Sequence, residues 1–415
     1  MLSVQSTEKP MERVPNALED STAYIIAAKR TPTASFLGAF QAVKAPLLAG
    51  DLIKAIVDDF KVVDDFSRSV DHVFLGNVLQ AGVGQAPARQ AVLSAGLSAE
   101  VSAVTVNKVC GSGLQSIIFG AQAIALGDAQ VVLAGGMENM SQSPHYVRGV
   151  RNAFRMGHQQ MIDGMIFDGL WDPYKDFHMG VAAELCARKF EFTRELQDAY
   201  AIESFRRAQN AQVNGDFRTE IVPIKITGKK GGEGEFVNLD DGPSKFNLDK
   251  VSKLSPAFEK GGTITAANAS SINDGASMLA LCSGAYARNK KLQPLARIVG
   301  YAGYAQQPEW FTTSPVEATK RLLKRVGWNV GDVDLFEVNE AFAVVAMAYM
   351  KELETSSDKV NVLGGAISLG HPIGSSGSRI VVTLVHALKA RGLRRGIASI
   401  CIGGGEGLAL AVEVL

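Results

Sequence analysis

The feature that most constrains the fold is an internal repeat. "VDHVFLGNVLQ" returns as "VDLFEVNEAFA", setting Asn77 against Asn339 about 262 residues later. "GSGLQSIIFGAQAI" returns as "GSSGSRIVVTLVHAL", and "AQVVLAGGMEN" as "IASICIGGGEG", which pairs Glu138 with Glu406 at a spacing of about 268. Each copy runs strand, long apolar helix, then a strand ending in glycines. Buried parallel strands read as continuous apolar runs, and strand–helix alternation is the pattern of an α/β sheet. Two copies imply duplication, a pseudo-twofold architecture, and equivalent loops meeting at its centre. A site shared between the halves is the expected consequence.

Around the repeat, "AYIIAA" reads as a strand and "PLLAGDLIKAIVDDF" as an amphipathic helix. "TVNKV" reads as a further strand and Ser112–Leu126 as a helix. The expected division is a 1–21 extension, a first half of 22–140 plus 266–292, an inserted lid-like domain over 141–265, and a second half of 293–415. The extension carries four acids, two bases and no apolar core, so it resembles neither a secretory signal nor an Arg-rich transit peptide. It is expected to be disordered or loosely docked. The insertion holds a good helix in "RELQDAYAIESFRRAQNAQ" and a charged, Gly-rich patch in "TGKKGGEGEF". Its Arg148, Arg151, Arg155, Lys229 and Lys230 fit either phosphate contacts or a solvated surface.

Bulk composition excludes several classes of function. With 415 residues and 47% hydrophobic content the chain can bury more than one core. Lys plus Arg and Asp plus Glu both total 42, so no net field favours nucleic acid or an anionic membrane. No apolar run is expected to reach transmembrane length. Cys110, Cys186, Cys282 and Cys401 are widely spaced, which disfavours zinc and a secreted disulfide framework and points to a reducing, cytoplasmic setting.

Four blocks place a polar or ionisable side chain beside glycines or small residues: Cys110 in "VCGSG", Asn339 in "NEAFA", His371 in "GGAISLGHPIGSSG" and Cys401 in "CIGGGEG". Glycine lets a ligand approach the backbone and turns N–H groups toward it. Taken alone, Cys110 is either a small buried hydrophobe or a thiol whose thiolate is stabilised at a helix N-terminus. Together, a Cys–His pair supplies a thiolate nucleophile at neutral pH and a second thiol an acid or base. The Asn339 amide and the N–H groups of "IGGG" can bind oxyanions. Such a set suits acyl transfer onto carbon. Cys186 and Cys282 sit in apolar spacing and read as core.

The blocks "VNKVCGSGLQSI", "AGGMENMS", "HMG", "TAANASSINDGA", "VNEAFA", "GGAISLGHPIGSSGSRI" and "CIGGGEG" resemble, in this order, those of the thiolases, and within them the acetyl-CoA acetyltransferase branch. The likeness runs from about residue 22 to the C-terminus. It implies a thiolase-like α/β fold, two mixed-sheet halves stacked as αβαβα layers with an inserted loop domain. By resemblance, Cys110 is the nucleophile that becomes acetylated, His371 activates it, and Cys401 moves the α-proton of a second acetyl-CoA. Asn339 would hold a water that, with His371, forms one oxyanion hole. The N–H groups of Cys110 and Gly403 would form the other. The implied reaction is a reversible Claisen condensation of two acetyl-CoA with no metal or redox cofactor, coenzyme A being a product.

The resemblance also implies contacts to the substrate from Leu170, His178, Met179, Phe258, Ala266, Ser270, Ala341 and Phe342. Met179 of "DFHMG" and Phe311 of "EWFTTSP" would close a short acyl pocket, although "FTTSP" departs from the usual short-chain pattern and leaves branched acyl groups open. "DDGPSKFNLDKV" lacks the tyrosine with which some relatives bind potassium, so no specific potassium activation is expected. A homotetramer, a dimer of dimers joined through Val147–Lys175, is implied as well. The competing readings are a broad-chain 3-ketoacyl-CoA thiolase and a non-catalytic acyl-CoA binder. Intact Cys110, His371 and Cys401 disfavour the binder, and Asn339 disfavours the related ketoacyl synthases, which carry a second histidine there.

Overall fold

The computed structural model describes residues 18–63, 65–152, 154–227 and 234–415. Most of the 1–21 extension, together with Lys229 and Lys230, lies outside them. The first half contributes β1 (Ala23–Arg30), α1 (Ala45–Asp59), β2 (His72–Gly76), α2 (Pro87–Ser94), β3 (Ser102–Val106), α3 (Ser112–Leu126) and β4 (Val131–Asn139). An intervening stretch holds α4 (Met179–Phe190) and α5 (Arg194–Asn214) before the chain returns as β5 (Asn273–Ser283). The second half adds β6 (Ala296–Ala305), α6 (Ser314–Val326), β7 (Leu335–Val338), α7 (Ala343–Leu353), α8 (Ile373–Ala390), β8 (Arg395–Ile402) and β9 (Glu406–Val414). The strand expected over Thr105–Val109 stops at Val106, because Asn107–Val109 turn into a tight loop.

These strands form one sheet in the order β7–β8–β9–β6–β1–β5–β4–β2–β3, with Ala34–Ser35 pairing beside β5. In the first half β2 is parallel to β3 and β4, and β5 is antiparallel to β4 and β1. The second half repeats this. β7 is parallel to β8, β9 is antiparallel to β8 and β6, and Val360 bridges β7 where β3 stands in the first copy. The halves join along β1 and β6 through only Tyr24↔Arg297 and Ile25↔Ala296.

Register corrects one pairing read from the sequence. The β2–β4 ladder ends at Gly76↔Gly136 and the β7–β8 ladder at Val338↔Ser399. Asn77 and Asn339 follow one residue later, as expected. Two residues beyond Gly136 and Ser399 stand Glu138 and Cys401, opposite Gly275 and Gly407. The counterpart of Glu138 is therefore Cys401 and not Glu406, which starts β9. Glycines and glutamates of the two copies align by letter in a register that the ladders do not share.

Five layers result. Leu48, Leu52 and Ile56 of α1 pack on Val73, Leu133 and Met278 at one outer face. Leu322 of α6 and Val345 and Tyr349 of α7 pack on Phe336 and Ile397 at the other. Between the half-sheets lie α3 and α8, whose Leu114, Ile117, Ile380 and Leu384 meet Ile25 and Leu279 from one side and Ile400 and Leu410 from the other. The window Val109–Leu126, against expectation, has the length and mean hydropathy (1.5) of a membrane span. Its helix is α3, the apolar centre of this sandwich, and that position accounts for its composition. The intervening stretch is tied to β1 by Arg30, which donates to both Asp240 oxygens (2.7 and 2.9 Å) and to Glu220 (2.5 Å) in the interior.

The central helices approach so closely that only glycine fits. A Cβ at Gly76 would lie 2.5 Å from the Gly374 carbonyl oxygen, one at Gly136 2.1 Å from it, and one at Gly377 2.5 Å from the Leu114 nitrogen. Each obstacle is backbone and cannot rotate away. Gly136→Ala is expected to lower the free energy of unfolding by about 1–3 kcal/mol or more, read as an earlier midpoint in urea. An unchanged midpoint would mean that this contact does not hold the halves together.

Candidate active site

Cys110 lies two residues before α3 and His371 two residues before α8, so both side chains are delivered by the N-terminal ends of the central helices. The loop holding Cys110 is strained. Val109 has φ +46°, a conformation costly for a β-branched residue. Side chains and backbone over-determine it. Asn107 Oδ1 accepts the Val109 N–H (3.1 Å), Ser112 Oγ accepts the Lys108 N–H (2.8 Å) and donates to the Val109 carbonyl (2.7 Å), and the Gly111 N–H donates to the Lys108 carbonyl (3.0 Å). Lys108 is itself ion-paired with Glu406.

His371 is fixed from two sides. Its backbone N–H donates to Asn273 Oδ1 (3.0 Å), and its Nδ1 lies 2.5 Å from Ser376 Oγ. Ser376 spends its hydrogen on the Pro372 carbonyl (2.9 Å), so it accepts from Nδ1–H and the Nε2 lone pair stays free. Burial, then the nearby Arg379, lowers the His371 pKa to about 4, so the ring is neutral at physiological pH.

Cys110 and His371 line one apolar cavity of about 180 Å³. The N–H groups of Gly403 and of Cys110 itself both favour the thiolate of Cys110. Burial outweighs them and pushes this thiol up to about 11. The resting pair is therefore thiol and neutral imidazole, where the sequence suggested a thiolate at neutral pH. The dry, apolar wall makes the difference.

Gly403, Leu170, Met179, Ser270 and Ala341 also line the cavity, as does an aromatic wall of Phe258, Phe342 and Phe311. Phe342 meets Phe258 and Phe311 edge-on, at 5.9 and 6.3 Å between centroids. His178 stacks on Phe258 at 4.7 Å, and its Nδ1 accepts the Gly180 N–H (3.0 Å), capping α4. Burial lowers its pKa, so His178 presents an Nε2–H. Of the expected substrate contacts, Ala266 alone stands apart: it is exposed and off the cavity wall. Arg148, Arg151 and Arg155 are exposed on the preceding loop, Arg148 stacked 4.2 Å over Phe167. A larger groove of about 480 Å³, lined by Lys108, Tyr304 and Arg321, opens on the surface elsewhere and contains neither Cys110 nor His371.

Asn339 and Cys401 are fully buried behind the wall. The Asn339 amide has no hydrogen-bond partner for either its nitrogen or its oxygen among the described residues, a situation that costs about 1–3 kcal/mol unless a ligand or water meets it. Burial, then the neighbouring Cys110, holds the Cys401 thiol well above the usual range. Beneath Asn339, Glu340 accepts from Tyr200 and Ser204 of α5 (both 2.8 Å) and from Asn361 (2.9 Å), locking the "NEAFA" loop. Sequence reasoning missed Ser376, Asn273 and Glu340, although they lie within "GGAISLGHPIGSSGSRI", "TAANASSINDGA" and "VNEAFA". Among the described residues, no three His, Cys, Asp or Glu side chains are grouped to hold a metal ion.

Comparison with known proteins agrees with this geometry. Residues 23–285 match the thiolase N-terminal domain and residues 292–414 the thiolase C-terminal domain. The chain is 48% identical to an acetyl-CoA acetyltransferase of Cupriavidus necator, over 94% of its own length and 98% of the relative's. It is also 48% identical to acetyl-CoA acetyltransferase 2 of Arabidopsis thaliana, covering 94% and 96%. Among solved structures it resembles the acetyl-CoA acetyltransferase of Bacillus anthracis (40% identity, 96% and 100% coverage, TM-score 0.92) and a thiolase from Ascaris suum in complex with coenzyme A (42%, 95% and 100%, 0.89). With both family domains in register along nearly its whole length, and their fold around one thiol–imidazole cavity, the chain belongs to the thiolase family.

Proposed function

We propose that the chain is an acetyl-CoA C-acetyltransferase, joining two acetyl-CoA into acetoacetyl-CoA and CoA and running the reverse thiolysis through an acetylated Cys110. The observation that carries this reading is the convergence of two N–H groups, from Cys110 and Gly403, on a thiol that shares a small apolar cavity with a neutral, singly tethered imidazole.

A resting state with every group neutral gives a balanced sequence. His371 Nε2 takes the Cys110 proton as sulfur attacks the thioester, and the collapsing intermediate expels CoA, which takes its proton from Cys401. The N–H groups of Cys110 and Gly403 hold the oxyanion. Cys401, now a thiolate and a strong base because of its burial, removes the α-proton of a second acetyl-CoA. His371 and a water on Asn339 hold the enolate oxygen. The enolate attacks acetyl-Cys110, and the released thiolate recovers its proton from His371. The chemistry calls for no cofactor, and free thiols at all four cysteines suit a reducing, cytoplasmic setting.

Short acyl groups fit best, because Met179 and Phe311 both line a cavity well below the roughly 300–1,000 Å³ of sites for larger ligands. A dimer of dimers is the assembly we favour. Val104 and Phe119 expose an edge at β3 and α3, and Met156, Met161 and Phe167 expose a second apolar surface within Val147–Lys175.

Incubation with acetyl-CoA should leave an acetyl group on Cys110 by mass spectrometry; an unmodified Cys110, or condensation surviving Cys110→Ser, would overturn the assignment. Cys401→Ala should still form this adduct but make no acetoacetyl-CoA. The acid limb of kcat/KM for acetylation should fall with a midpoint near 4, the value for buried His371, and not near 6.5. Below that midpoint the ring is protonated and cannot accept the Cys110 proton. Phe311→Ala should raise kcat/KM for longer ketoacyl-CoA about tenfold relative to acetoacetyl-CoA; an enzyme already efficient on long chains would favour the broad-chain reading.

A further inference from the structure

The duplication sets Asn77 and Glu138 where the second half has Asn339 and Cys401. In the second half these positions carry an amide without a partner among the described residues and a thiol; in the first they are turned on each other. Asn77 Nδ2 donates to Glu138 Oε1 at 2.7 Å. The same carboxylate accepts the N–H groups of Val78 (2.9 Å), Leu79 (3.2 Å) and Gly374 (2.9 Å), and Glu138 is fully buried. Four donors thus converge on two oxygens.

The origin of those donors matters. Val78 and Leu79 belong to the cluster with Ile373 against which Val109 and Cys110 pack. Gly374 lies in the first turn of α8, three residues after His371, and its N–H is one of those a helix start leaves without an internal partner. One buried carboxylate from the first half therefore joins the floor beneath the nucleophile to the helix turn that presents the base. Gly374 can approach because it has no side chain; a Cβ there would lie 2.6 Å from Glu138 Oε2.

We propose that Glu138 is a positioning residue that sets the reach of His371 to Cys110 by clamping the first turn of α8 to the end of β2. It touches neither thiol nor imidazole and acts through His371. The duplicated counterpart of the acid/base position has become the clamp that aligns the other two groups. This inference rests on the roles given above to Cys110 and His371.

The test follows the rate at which iodoacetamide alkylates Cys110, which needs no CoA substrate and so separates this inference from the proposed reaction. Glu138→Gln keeps size and acceptor but loses the charge and one acceptor. At about pH 8.5, above the value of about 7 to which burial raises the Glu138 carboxyl, it should slow alkylation, and acetylation per active site, on the order of 10- to 100-fold, as misplacement of a reacting group does, with KM changed much less than kcat. In a His371→Ala background the same substitution should cost nothing further, since the group through which it acts is gone. Asn77→Ala removes one of the four donors and should show a smaller loss in the same direction, keeping the test available if Glu138→Gln folds poorly. An alkylation rate per folded molecule equal to that of the unmodified enzyme, or a loss that persists undiminished in His371→Ala, would overturn the proposal. A missing acetyl adduct with alkylation still dependent on Glu138 would instead refute the proposed reaction and leave the clamp standing.

Discussion

Backbone meets backbone where the first turn of α8 presses on the ends of β2 and β4, and the rest of the structure depends on that contact. Gly76, Gly136 and Gly374 make it sterically possible, and the Glu138 carboxylate makes it specific by taking the Gly374 N–H. Because α3 lies against α8 at the same place, through Gly113 and Gly377, the two helix starts are set at a fixed separation. The thiol and the imidazole ride on those starts. A thiol–imidazole pair contributed by two halves of a duplicated chain needs such a joint, since the strand ladder between the halves is too short to align them.

Much of this was legible in the sequence, for identifiable reasons. Cys110, His371 and Cys401 each stand beside or close to glycines, and Asn339 is followed closely by small alanines; a reactive side chain in such a setting is a signal that survives without coordinates. The α/β order and the duplication were legible from apolar runs. The register of the repeat was not, because "GGMEN" and "GGGEG" align by letter in a way that hydrogen-bonded ladders do not support. Nor was the role of Glu138, which depends on a donor more than 200 residues away. The protonation state of Cys110 also escaped: a Cys–His pair suggests a thiolate, and only the apolar wall around it reverses the balance.

The two halves illustrate how one scaffold position acquires opposite tasks. Asn339 is buried with donor and acceptor both unspent, whereas Asn77 is bonded to Glu138. An unsatisfied buried amide is destabilising on its own. The first half has relieved that cost at the Asn77 nitrogen, though its Oδ1 also lacks a partner among the described residues, and the second half has kept it at both atoms, so a polar group remains ready to meet a ligand. Strain at Val109 belongs to the same class, held in place by Asn107 and Ser112.

His178 carries a consequence for how such an enzyme can change. Its Nδ1 closes the start of α4 while its ring forms part of the cavity wall against Phe258. One imidazole therefore serves the stability of a helix and the shape of the thiol–imidazole cavity together. A lineage exploring new substrates through this position would disturb the helix at every step unless the replacement could also cap it, as Asn, Asp, Ser or Thr can. Selectivity and folding are coupled traits there, and the routes open to variation are few.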